Sequence, residues 1–120
     1  MSNDEKQEYF KKFIQALNVG AKSEVLPDFL IDFFSETELD SFIKRLEVLK
    51  RLHRGHSYSN LNKEMNVSPI TASKAAKQLR DSGKKFSELL TSLTEGEEPL
   101  DSPKIVVEKN IEDKRSKYIS

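Results

Sequence analysis

Six side chains between positions 69 and 78 are of the types that read nucleic-acid bases. Pro69, Ile70, Thr71, Lys74, Lys77 and Gln78 fall on one side of a helical repeat, opposite Ala72, Ala76 and Leu79. Ile70 and the Thr71 methyl suit a thymine methyl group, Lys74 a guanine edge or a phosphate, and Gln78 an adenine. The first turns of such a helix reach deepest into a major groove, so Ile70 and Thr71 rank first as base readers and Lys74 next. Tyr58, Ser59, Asn60 and Lys63, just upstream, are the kinds of residue that hold phosphates and fix register.

Other chemistries find little to work with. There is no cysteine, hence no disulfide framework, thiolate metal site or thiol nucleophile. His53 and His56 have HxxH spacing but lack a clear third ligand, and Gly55 separates them by a turn, so no metal is expected. The pairs Glu36/Glu38 and Glu97/Glu98 sit at a helix start and in a polar tail. Neither offers the buried surroundings that raise a carboxylate pKa for acid–base work. No glycine-rich phosphate loop or nucleophile–base pair is present, and no enzyme is expected.

The reading side chains need two helices to position them. Ser57 can cap a first helix whose Leu61 and Met65 share a face. Asn66-Val67 breaks the chain. Ser68 then caps a second helix with Pro69 in its first turn, where a missing N–H costs nothing. The span 57–82 therefore has the layout of a helix-turn-helix, with Ser68–Ser82 as the reading helix.

Charge supports that reading. The 120-residue chain has zero net charge, but residues 44–85 carry 11 basic and 3 acidic side chains. Residues 1–43 carry 4 basic and 9 acidic, and residues 86–120 carry 5 basic and 8 acidic. The positive block coincides with the motif and the helix before it, as a phosphate-binding surface requires.

The remaining elements are helical too, giving an all-α chain. Tyr9, Phe10, Phe13, Ile14 and Leu17 mark a short helix over 8–17, ended by Val19-Gly20. Leu26–Phe34 is compact and apolar. Ser35 and Glu38 match a capping box, and the apolar series from Leu39 to Leu52 follows, ended by Gly55. Lys84–Leu93 makes a last helix. Residues 1–94 thus read as one helical domain and 95–120 as a mostly disordered tail, with a brief strand or docking segment at Ile105-Val106-Val107. The first two helices are apolar over a wide arc, which a homodimer would cover. A monomeric bundle wrapped on the long helix is the alternative. No apolar run approaches the ~18 residues of a membrane span, and MSNDEKQEYF does not resemble a secretory signal, so a cytoplasmic protein is expected.

The run from Phe34 to Leu90 resembles the Trp repressor superfamily, and looks closest to its YerC/YecD-type branch. SETEL, KRLEVLKRLHRG and SYSNLNKEMNVSPITASKAAKQL carry the resemblance. It implies a Trp-repressor-like helical bundle, an intertwined homodimer, and repression of transcription by binding double-stranded DNA. It also implies an effector pocket between the long helix and the reading helix. Arg45 falls on the long-helix arginine of that pocket, Lys74 on the reading-helix arginine, and Ser35 near the capping hydroxyl. Lysine does not reproduce arginine's planar fork, and Ala75 stands where a glycine makes room for the indole. A small-molecule effector of unknown identity is therefore allowed, with tryptophan disfavoured. The competing expectation is a helix-turn-helix used only for protein association, without specific DNA reading.

Overall fold

Two serine–glutamate pairs start the two longest helices. In the computed structural model, which describes residues 1–95 and 114–119, Ser2 and Glu5 form a reciprocal capping box at the head of α1 (Asn3–Lys22). Ser35 and Glu38 do the same for α3 (Glu36–His53), with the Ser35 N–H donating to Glu38 Oε1 at 2.9 Å and the Glu38 N–H to Ser35 Oγ at 3.1 Å. The other helices are α2 (Leu26–Phe33), α4 (Tyr58–Met65), α5 (Pro69–Asp81), α6 (Lys84–Thr94) and α7 (Lys114–Tyr118). There is no strand among the described residues; the suggested strand at Ile105-Val106-Val107 lies outside them.

Hydrogen bonds from Ser35, first through its backbone N–H and then through its hydroxyl, hold the Glu38 carboxyl below its ordinary 4.5, and Ser2 does the same for Glu5. A carboxyl held low when folded binds its proton more readily when unfolded. Its stabilisation is therefore complete above 4.5 and is lost as pH falls through the lower folded value. Glu38→Gln should accordingly flatten the fall in thermal midpoint below that pH, read by calorimetry, while leaving the neutral-pH fold intact.

The described residues divide into two compact units, 1–39 with 114–119, and 40–95. The single domain expected over 1–94 thus has two centres of packing. In the first unit, α1 runs through Val19-Gly20 rather than stopping there. Gly20 is buried within the helix beside Leu26, and a Cβ on it would make only ordinary contact with the Leu26 Cα at 3.5 Å, so here glycine does not terminate the helix. The helix stops at Lys22 in a Schellman motif: the Val25 N–H donates to Gly20 O at 2.9 Å and the Glu24 N–H to Ala21 O at 3.2 Å. Glu24 occupies the left-handed position, φ 62°, that the motif normally gives to glycine. We expect Glu24→Gly to raise unfolding stability by about 1 kcal/mol, measured as a shift in urea midpoint. Phe29 stacks on Phe33 at 5.3 Å, and Phe34 meets Phe33 edge-on at 5.1 Å.

Most of the tail expected to be disordered, 96–113 and 120, lies outside the described residues, but one segment of it is described. Lys114–Tyr118 is helical and packs on α2. No apolar periodicity announces it; its order comes from charged partners distant in sequence, described below.

In the second unit, Val48, Leu49, Leu61, Val67, Ala72 and Ala75 form the core, with Leu52, Met65, Leu79 and Phe86 packed around it. α3 also ends in a Schellman motif, this time with Gly55 at φ 92° in the left-handed position and the His56 N–H donating to Arg51 O at 3.0 Å.

Candidate nucleic-acid interface

The turn between α4 and α5 sets the geometry of the motif. Ser57 Oγ accepts the Asn60 N–H at 3.1 Å and Ser68 Oγ accepts the Thr71 N–H at 3.2 Å, so both helices carry the expected caps. Asn66 closes α4 in the left-handed region, φ 55°, which asparagine tolerates better than most residues. Asn62 Nδ2 donates to Val67 O at 3.2 Å, tying the turn back to α4. Val67 is sealed beneath, at 1% exposure.

The core side of α5 is broader than its spacing suggests. Ala72 and Ala75 are buried, while Ala76 and Leu79 are only partly covered. On the other side Ser68, Pro69, Ile70, Thr71, Lys74, Lys77 and Gln78 are all exposed, as are Tyr58, Ser59, Asn60 and Lys63 on α4. Ile70, at 70% exposure, is the most open of the large apolar side chains in this unit. Lys77 pairs with Asp81 at 2.9 Å within α5. That pair is well exposed and weak, so it competes only slightly with a phosphate.

α3 and α5 border a half-open cavity of about 380 Å³ lined by Ser41, Lys44, Arg45, Val48, Thr71, Lys74, Ala75 and Gln78. Each helix contributes positions i, i+3, i+4 and i+7, one stripe from each. Two of the three residues expected at an effector pocket, Arg45 and Lys74, are brought together here. The third, Ser35, belongs to the first unit, where its hydroxyl is engaged in the α3 capping box. Lys44 and Ser41 were not anticipated. They follow from the same spacing, Lys44 four positions before Val48 and Ser41 four before Arg45, once α5 is known to face that side of α3.

Arg51 fixes α3 against α4, a role the sequence alone did not reveal. Its guanidinium bonds Glu47 at 3.0 Å and Glu64 of α4 at 2.5 Å, with 18% of the side chain exposed. Burial opposes ionisation of Glu47, but the Arg51 hydrogen bond and the Lys50 and Arg51 charges outweigh it and hold its pKa down. Of the two histidines, His53 Nε2 lies 2.9 Å from Thr91 Oγ1. His56 is buried, and neither ring nitrogen has a hydrogen-bond partner among the described residues. Among the described residues, no group of three or more His, Asp or Glu is placed to hold a metal ion, and no helix is long and apolar enough to cross a membrane.

Comparison with known families gives one match. The family model described as Trp repressor protein fits residues 8–94. No curated protein and no solved structure matches the chain.

Proposed function

The chain belongs to the Trp repressor family, whose members are helix-turn-helix DNA-binding regulators, and from that premise we propose that it is a cytoplasmic, sequence-specific repressor that reads the major groove with α5. The observation that carries the reading is the division of α5 into a sealed alanine side and an open side of Ile70, Thr71, Lys74 and Gln78. Binding strength would come from the basic block over 44–85, and Tyr58, Ser59, Asn60 and Lys63 would set register on the phosphates. Repression would follow from occupying DNA that polymerase needs. Kinship with the YerC/YecD-type branch is part of the proposal, and the SETEL and SYSNLNKEMNVSPITASKAAKQL segments are what support it.

A homodimer is part of the proposal. Tyr9, Phe10 and Phe33 in the first unit are 49%, 62% and 60% exposed, an apolar surface that a second copy would cover. The cavity between α3 and α5 is the proposed effector site. Lys44, Arg45 and Lys74 suit an anionic ligand, and the Ala75 methyl narrows the space an indole would need. Because Thr71, Lys74 and Gln78 line that cavity and also belong to the reading side, an effector would act directly on the readers.

The test is selection of bound sequences from a random duplex library with purified protein and no added ligand. The expected result is a palindrome with half-sites about one helical turn apart. Binding without enrichment, lost steadily as salt rises, would overturn effector-independent sequence reading. The same result accompanied by tight association with a protein partner would favour an interaction module.

A further inference from the structure

α2 lacks something its geometry requires. It has only eight residues, carries Asp28 in its first turn, and has no basic residue in its last turn. The carbonyls at the end of a helix have no intrahelical partners, and the end is the negative pole of the helix dipole. The missing cation comes from the far end of the chain. Lys114 Nζ donates to Ile31 O and to Phe34 O. The two arms of the Arg115 guanidinium reach Asp28 and Asp32, one helical turn apart, the Asp32 contact at 2.6 Å. Lys117 Nζ lies 2.5 Å from Glu36 Oε1, and the Tyr118 hydroxyl donates to Glu36 O at 3.3 Å.

A five-residue helix cannot hold itself together in water, so α7 owes its order to this contact. Its charges match the acceptors one by one: Lys114 to the carbonyl end, Arg115 to two carboxylates, Lys117 to a third. We infer that the acidic face of α2 and the first turn of α3 form a docking site for a short basic helix, and that the chain's own Lys114–Tyr118 segment occupies it as a releasable intramolecular ligand. The ion pairs are partly exposed, with Arg115 at 39% and Asp32 at 71%, so each is individually weak and screened by salt. Tethering supplies the effective concentration that makes them add up. Release strips α2 of its C-terminal cation and loosens the helix.

The absence of cysteine makes the test direct. A spin label on Ser120→Cys in the uniformly nitrogen-labelled full chain should broaden the amide signals of residues 28–36 at low ionic strength. The broadening should vanish in about 1 M sodium chloride, where the screening length is about 3 Å. Hydrogen exchange of the α2 amides should rise at the same time. Arg115→Glu should abolish the broadening at low salt, and Asp28→Lys with Asp32→Lys should restore it in that background. Unchanged amide shifts in α1, which belongs to the same unit as the substitutions, verify that these variants fold. No broadening at low salt, or broadening indifferent to Arg115→Glu, overturns the site. Broadening that appears when spin-labelled chains are mixed with separate nitrogen-labelled chains means the segment docks on a second copy, and overturns the intramolecular assignment.

Discussion

Leu61→Ala should cost about 2–5 kcal/mol of unfolding stability, the range for truncating a fully buried leucine. Leu61 is 0% exposed and lies at the centre of the cluster of Val48, Leu49, Val67, Ala72 and Ala75, so it is where α3, α4 and α5 share one core. Its neighbours there include two alanines and two valines, small side chains with little freedom to lean into the space left behind. Small domains hold only about 5–15 kcal/mol in total, so the loss is a large fraction of the whole. Urea titration followed by circular dichroism measures it. Leu89→Ala, at a position 52% exposed on α6, serves as the reference and should shift stability far less. A Leu61→Ala midpoint equal to wild type would mean that α4 is not packed as described.

The second large effect is on binding. Lys74→Ala and Thr71→Ala should each weaken specific DNA binding by about 1–3 kcal/mol, or roughly 5- to 150-fold, with the fold retained. Both side chains are exposed, so neither substitution opens a cavity. Thr71 also receives the hydroxyl hydrogen bond of Ser68 at 3.0 Å, but its backbone N–H, which makes the cap, survives the change to alanine. The two roles open to Lys74 separate by salt titration. A phosphate contact lowers the salt slope by about 1, whereas a guanine contact relaxes specificity at one base pair. If both variants hold the selected operator as wild type does, α5 is not the reader.

How legible the molecule is from its sequence depends on how local the determining interactions are. The caps at Ser35, Ser57 and Ser68 and the ends of α4, α5 and α6 rest on contacts within a few residues, and the structure places them close to where the pattern does. The start of α1 also rests on a local box, Ser2 with Glu5, yet apolar spacing alone begins the helix at Glu8. The stripe that sequence reading follows marks the packed part of a helix, and α1 extends beyond it at both ends. Spacing makes Gly20 a terminator because glycine often follows a helix; instead it lies buried inside α1 beside Leu26, a placement that depends on tertiary packing. Pairing Arg45 with Lys74 came from the family resemblance; their shared cavity depends on the rotation of α5 against α3, as does the burial of Ala75. α7 is the least legible element, since Lys114 and Arg115 find their partners eighty or more positions upstream.

The two-sidedness of α5 bears on how such a protein diversifies. Ala72 is sealed into the core while Ile70, two positions earlier, is 70% exposed. Substitutions at 70, 71 or 74 leave the packing untouched, whereas those at 72 or 75 disturb it. Under the proposed DNA-reading role, mutational drift would alter target preference at almost no cost to foldability, and a duplicated copy of the gene would acquire new targets through one or two exposed codons. Ala72, which lines neither the cavity nor the open side, is where selection tolerates least.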